Sequence, residues 1–165
     1  MNIKKSALFL ARGGIIAALY VVLTFVFAPI SFGPIQVRIA EALTILPMFT
    51  PAAVPGLFVG CLVGNILGGA ILPDIIFGSL ATLIGAIFGY MLRKHRWLVP
   101  IPTIVSNTLI IPLVLYFGYG AQSIPLPLIA LSVALGEILS CYVLGELLAV
   151  VLNKYRRQLF GNSPE

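Results

Sequence analysis

Long apolar runs, punctuated by short clusters of proline, glycine and charge, set the pattern of this chain, and the punctuation predicts six helices over residues 6–28, 37–49, 53–67, 74–92, 98–116 and 126–153. Pro29, Gly33 and Pro34 stop the first, and Pro51 and Pro55 turn the chain after the second. The glycine-rich "GNILGGAILPD" separates the third from the fourth, "RKHRW" the fourth from the fifth, and "GYGAQSIPLP" the fifth from the sixth. Pro112 predicts a kink inside the fifth. About 20 apolar residues cross a hydrocarbon core of about 30 Å. Thirteen residues at 37–49 rise only about 20 Å at about 1.5 Å each, too short to cross alone. Either the loop before it dips inward or its neighbours fill the gap.

Composition identifies the solvent. Hydrophobic residues make up 60% and charged residues 9%, against about 25% charged in a soluble domain. Such a chain cannot cover its surface in water, so residues 1–165 read as one all-α transmembrane domain embedded in the lipid bilayer. The net charge of +5 does not call for nucleic acid. Apart from Arg38, the lysines and arginines fall into three groups, Lys4/Lys5/Arg12, Arg93/Lys94/Arg96 and Lys154/Arg156/Arg157. An even number of spans separates each from the next, which puts all three, and both termini, in the cytoplasm. The apolar run after Lys5 is longer than a signal peptide's core and lacks a small-x-small cleavage site, so it is expected to stay as the first span. His95 belongs to a solvated turn, and Trp97 is expected to anchor at the interface.

A few polar residues remain inside the apolar runs. A charge at mid-membrane costs about 2.5–3.5 kcal/mol on insertion scales, and such groups mark ligand or ion pathways or paired structural sites. Arg38 and Glu41 stand three apart, where helical neighbours pair. Asp74 opens the fourth span, as an N-cap or as a ligand group. Glu137 is about eleven residues, or about 16 Å, into the sixth span, near the midplane. Asn107, at similar depth, is either interhelical glue or part of a site. Glu146 is expected as an interfacial group near Lys154. Apart from Glu146, which is nearer the inner face, these groups open toward the exterior. Cys61 and Cys141 lack CxxC spacing and are expected as unpaired buried thiols, with neither disulfide nor metal indicated.

Gly13 with Ala17, and Gly14 with Ala18, form two small-xxx-small pairs, which allow close approach of a helix, within the bundle or from a membrane partner. Phosphate-cradling GxxxxGK[ST], HExxH and G-x-S-x-G are all missing, so nucleotide hydrolysis or metallohydrolase chemistry has no local machinery. No two-half repeat suggests a transporter of inverted copies.

The stretch "VRIAEALTILPMFTPAAVPGLFVGCLVGNILGGAILPDIIFGSLATLIGA", with the small-residue first helix, resembles the QueT queuosine-precursor transporters, substrate-binding S components of energy-coupling-factor (ECF) importers. The resemblance implies a six-helix binder, without enzymatic activity or cofactor, of a 7-deazaguanine such as 7-aminomethyl-7-deazaguanine. It further implies docking through Gly13/Ala17 or Gly14/Ala18 on a transmembrane coupling subunit, with two cytoplasmic ATPase subunits supplying energy. A guanine-like edge presents adjacent N–H donors that a carboxylate accepts in pairs, and an aminomethyl cation seeks a second carboxylate. Glu41, Asp74 and Glu137 would serve, with Asn107 on the carbonyl, Arg38 holding Glu41 or meeting the ligand, and Tyr116 or Tyr119 stacking on the ring. The competing expectations are an S component for another vitamin, such as riboflavin or thiamine, and an intramembrane enzyme using Asp74 and Glu137 on a lipid or isoprenoid.

Overall fold

The computed structural model describes residues 3–31 and 37–160, and the described residues are helical wherever they are regular. Helix α1 (Ile3–Val26) is followed by one further turn, α2 (Ala28–Ser31). A 3-10 segment (Ile39–Met48) leads into α3 (Ala53–Leu67). Three long helices follow, α4 (Asp74–Met91), α5 (Arg96–Gly118) and α6 (Leu126–Lys154), and a short α7 (Arg156–Phe160) closes the described chain. The fragments α1, α4, α5 and α6 are long and apolar enough to cross a membrane, whereas the 3-10 segment and α3 are shorter. The long helices expose large apolar side chains along their length, among them Leu10, Val22, Phe88, Leu109 and Leu131. That surface suits lipid and not water.

Two expectations change in this frame. The first helix ends at Val26, before Pro29, but a separate helical turn, α2, then runs through Pro29; Gly33 and Pro34 lie outside the described residues. The second predicted helix is wound as 3-10. Ten residues at about 2.0 Å still reach only about 20 Å, and 3-10 runs of this length are uncommon. The segment is held by burial: residues 40 to 47 are all buried, including Ile45, Glu41 and Thr44. It contacts α1, α3, α4 and α6, and so forms the axis of the bundle. The neighbours fill the gap left by its shortness.

Close approach of α1 to α3 rests on glycines. A Cβ at Gly56 would lie 2.8 Å from the Gly13 carbonyl oxygen, and one at Gly60 would lie 2.7 Å from Tyr20 Cβ. Gly64 faces Thr24 at ordinary contact distance. The G-x-x-x-G-x-x-x-G spacing of α3 therefore lets the α1 ridge of Gly13, Ala17, Tyr20 and Thr24 settle onto its backbone. Gly85 does the same for α4 against Thr103 of α5. At the end of the bundle carrying Arg12, Arg93, Arg96 and Lys154, the Arg12 guanidinium donates to the Phe160 carbonyl at 3.0 Å. The Phe160 ring stacks on Phe49 with centroids 5.2 Å apart. The first and last described helices thus meet at this basic end.

Candidate functional site

At the opposite end, three elements are tied through one carboxylate. Arg38 precedes the 3-10 segment in extended conformation, its side chain buried, and its Nη2 lies 3.3 Å from Asp74 Oδ2. Asp74 is 1% exposed and begins a π-helical turn, Asp74–Gly78. Its carboxylate folds over Gly78, where a Cβ would lie 2.9 Å from Oδ1. The Tyr119 hydroxyl, just past α5, donates to Asp74 Oδ2 at 3.0 Å and accepts from the Ile71 N–H at 3.4 Å. Burial, and then the negative Asp74, push the Tyr119 phenol above its usual pKa. Asn65 of α3 donates to the Asp74 carbonyl at 3.3 Å. Pro73 holds the N-cap position, so Asp74 is one residue inside the turn, and its carboxylate goes to the ion pair with Arg38.

Deeper in the bundle, Glu41 is fully buried one 3-10 turn after Arg38. Its Oε1 accepts a short hydrogen bond from the Tyr20 hydroxyl of α1 and lies 3.3 Å from Thr82 Oγ1 of α4. Thr82 has one hydroxyl proton, shared among Glu41, the Cys61 sulfur at 3.5 Å and the Gly78 carbonyl at 3.2 Å. Glu137 enters from α6, where a π-helical stretch, Ile138–Leu144, follows it directly. That widening belongs to the π-bulge class that recurs at functional sites. Cys141 Sγ donates to Glu137 Oε2 at 3.1 Å, and Asn107 of α5 sets its side chain against the same carboxyl. One ligand atom each from Glu41, Glu137 and Cys141 lie within 4.8 Å of one another.

This centre is rich in acceptors. Glu41 Oε2 and Asn107 Oδ1 are buried with no hydrogen-bond partner among the described residues. An orphaned buried acceptor costs about 1–3 kcal/mol, more when charged, so the arrangement favours a donor-rich, positively charged guest. An ammonium or a pair of adjacent N–H groups meets the two carboxyls on equal terms. Cys141 is engaged as a thiol, so the same trio offers a metal ion only two ready oxygen donors. Two cavities are distinct from this centre. The larger, about 510 Å³, lies between α4 and α5 on the outer surface. The smaller, about 150 Å³, is bounded by Thr24, Phe25, Ala28, Leu67 and Gly68.

Glu41, Glu137 and Asn107 come together as anticipated, with Arg38 and Asp74 beside them. The pairing inside the set differs from expectation: the ion-pair partner of Arg38 is Asp74, thirty-six residues on, because its extended backbone takes it off the helical face that carries Glu41. Tyr116 packs edge-on against Phe117 at 5.1 Å, and Tyr119 takes the place beside the ionic groups. Glu146 pairs with Arg96 at 2.5 Å and not with Lys154, since Arg96 reaches across from α5. Cys61 and Cys141 are free and buried, as expected. Gly13 and Ala17 are spent on α3, whereas Gly14 and Ala18 are exposed, and nothing would meet a Cβ at Gly14 within 4 Å. Tyr20 and Thr82 were not anticipated, and neither was the place of Cys141 beside Glu137. For Tyr20 the signal was available, as it continues the Gly13–Ala17 ridge by one helical turn.

The family described as QueT transporter matches residues 10–154. A relative from Lactococcus lactis subsp. cremoris, described as "Queuosine precursor transporter QueT", is 38% identical over 80 residues. That alignment covers 47% of this chain and 47% of the relative, so the matched region spans about half of its length. No solved structure matches. The match over most of the chain, together with long apolar helices exposing apolar side chains, disposes of the intramembrane-enzyme reading: the chain belongs to the QueT transporter family and is a multi-pass membrane protein.

Proposed function

We propose that this chain is the substrate-binding S component of an ECF importer and captures a queuosine precursor, a 7-deazaguanine such as 7-aminomethyl-7-deazaguanine. The observation that carries the reading is the convergence of Glu41 and Glu137, from the 3-10 axis and the middle of α6, with unpartnered acceptors around them. One carboxylate accepts the paired N–H donors of the guanine-like edge, and the other neutralises the aminomethyl cation. Asn107 reads the ring carbonyl through its amide N–H. Asp74, held by Arg38 and Tyr119, closes the entrance. The relative's description as a queuosine precursor transporter supports the cargo.

In this reading the three basic groups are cytoplasmic, the six helical segments cross the membrane with both termini inside, and the Arg38–Asp74–Tyr119 end faces out. The exposed Gly14/Ala18 pair is the register that docks on the coupling subunit, because Gly13/Ala17 already packs on α3. Two partner ATPases supply the energy, in keeping with a chain that has no phosphate-cradling loop.

The test is calorimetric binding of 7-aminomethyl-7-deazaguanine to the purified protein and to Glu41→Gln and Glu137→Gln. A hydrogen bond to a charged group is worth about 1.5–3 kcal/mol, so each substitution is expected to weaken binding roughly 10- to 100-fold. Unchanged affinity in both variants overturns the site. Tight binding of riboflavin or thiamine in its place overturns the cargo.

A further inference from the structure

The about 510 Å³ groove between α4 and α5 has no part in the proposed transport site. Ile84, Phe88 and Met91 form one wall and Ile101, Val105 and Leu109 the other. All six are exposed to the bundle's surroundings, Leu109 by 66%. Close contact at Gly85 and Gly89 brings the two helix backbones together beneath it, so the groove has a floor as well as walls.

Its length is informative. Trp97, 61% exposed beside the basic turn, marks the headgroup level. From Ile101 to Ile110 α5 rises about 14 Å, roughly half of a core of about 30 Å. Beyond that, Ile111 and Pro112 are buried and the cleft ends. A partner's transmembrane helix needs a track through both leaflets, whereas a groove that begins at the headgroups and stops at mid-membrane fits one acyl chain from one leaflet.

The mouth carries charge. Arg93 and Lys94 directly follow the groove residues Met91 and Leu92. Arg93 stacks on the Tyr90 ring at 4.3 Å and gives one N–H to the Tyr90 carbonyl, which leaves other donors of its fork to turn outward. Lys94 is exposed. Glu146, the acid near this turn, is already held by Arg96. We infer that the α4–α5 groove is a binding site for an anionic phospholipid, one acyl chain lying between Ile84 and Leu109 and the phosphate on Arg93 and Lys94. Phosphate and guanidinium meet there at the headgroup level, where juxtamembrane basic residues attract anionic lipid.

The protein has one tryptophan, Trp97, which precedes the groove residue Ile101 by one helical turn on α5 and stacks on Tyr142 of α6. The experiment therefore uses the full chain in mixed bilayers and reads quenching of Trp97 fluorescence by acyl-brominated phosphatidylglycerol or phosphatidylcholine. Phosphatidylglycerol is expected to quench at roughly 10-fold or more lower mole fraction. Arg93→Gln with Lys94→Gln should bring the two lipids level, and Val105→Phe, which fills the groove, should weaken quenching by both. Native mass spectrometry of the unmodified protein provides a readout that does not depend on the variants folding: one retained phosphatidylglycerol per chain is expected. Equal quenching and equal retention of the two lipids, or a second copy of the chain in place of lipid, overturns the inference.

Discussion

Two arginine–carboxylate pairs in this protein invite comparison. Arg96–Glu146, at the basic end, is 27% and 11% exposed at 2.5 Å. Arg38–Asp74, at the other end, is 8% and 1% exposed at 3.3 Å. The first fastens neighbouring helices where headgroups and water screen it. The second is buried, longer, and propped by Tyr119 and Asn65, on a frame of 3-10 and π turns in place of regular helix. A regular helix satisfies its backbone but offers few ways to aim a side chain inward. The irregular turns at the Arg38 end trade ideal hydrogen bonding for that freedom. The same two residue types thus serve as a clasp at one end and as the rim of a site at the other.

Breaking the buried pair from one side should have the largest effect. Asp74→Leu removes the carboxylate that lies 3.3 Å from the buried Arg38 guanidinium, and removal of one partner of a buried pair costs about 3–5 kcal/mol. The expected outcome is a strongly lowered melting temperature in detergent. The double change Arg38→Met with Asp74→Leu should recover most of that loss, because an apolar pair of similar volume is often neutral or better. If the single and double variants melt alike, Arg38 is satisfied elsewhere and the comparison of the two ends fails.

Next in size is the frame that holds the site. Gly60→Val places a branched side chain where a Cβ alone would lie 2.7 Å from Tyr20 Cβ. Overpacking costs about 1–3 kcal/mol, and here it pushes α1 away and withdraws the Tyr20 hydroxyl from Glu41. Ligand affinity should therefore fall together with stability. Gly14→Val, on the open face of α1, should leave both unchanged while impairing assembly with the coupling subunit.

The weaker clasp should matter less. Arg96→Met removes a partly exposed pair worth about 0–1 kcal/mol, so a melting shift of a few degrees at most is expected, with ligand affinity unchanged. A loss as large as that of Asp74→Leu would show that the basic end is as tightly constrained as the other.

Much of this was legible in the sequence because glycine, proline and charge are scarce enough to stand out. The boundaries of α3, Ala53–Leu67, follow from Pro51 and from the glycine-rich stretch after it, and Glu41, Glu137 and Asn107 were conspicuous as polar residues in apolar runs. Winding was not legible. Nothing in "IAEALTILPM" separates 3-10 from α without the packing on four sides that holds it, and the extended backbone at Arg38 decides its partner. Thr82 escaped notice, and Tyr119 was expected against a ligand ring and not on Asp74, for another reason: each looks ordinary alone and gains its partner only from a carboxylate far away in sequence. The glycine ladder of α3 was written openly at Gly56, Gly60 and Gly64, and it determines which of the two small-residue pairs on α1 stays exposed.

A comparably small effect is expected as a pH dependence at the rim. Tyr119 donates to Asp74, and burial together with that negative charge raises its pKa in the folded protein. A phenol whose pKa is raised by folding supports stability fully below its unfolded value, about 10, and that support drains away as pH climbs through the folded value. Folding stability should thus be insensitive to this group through neutral pH and decline above about pH 10. Tyr119→Phe removes the hydroxyl, with a loss of about 1 kcal/mol at neutral pH for one hydrogen bond. The gap between wild type and variant should narrow as pH rises past 10. Taking that difference cancels the lysines and the other tyrosines, which titrate in the same range in both proteins. A gap that stays constant, or widens, would mean that Tyr119 does not hold its proton on Asp74, and that the rim is closed by the Arg38 pair alone.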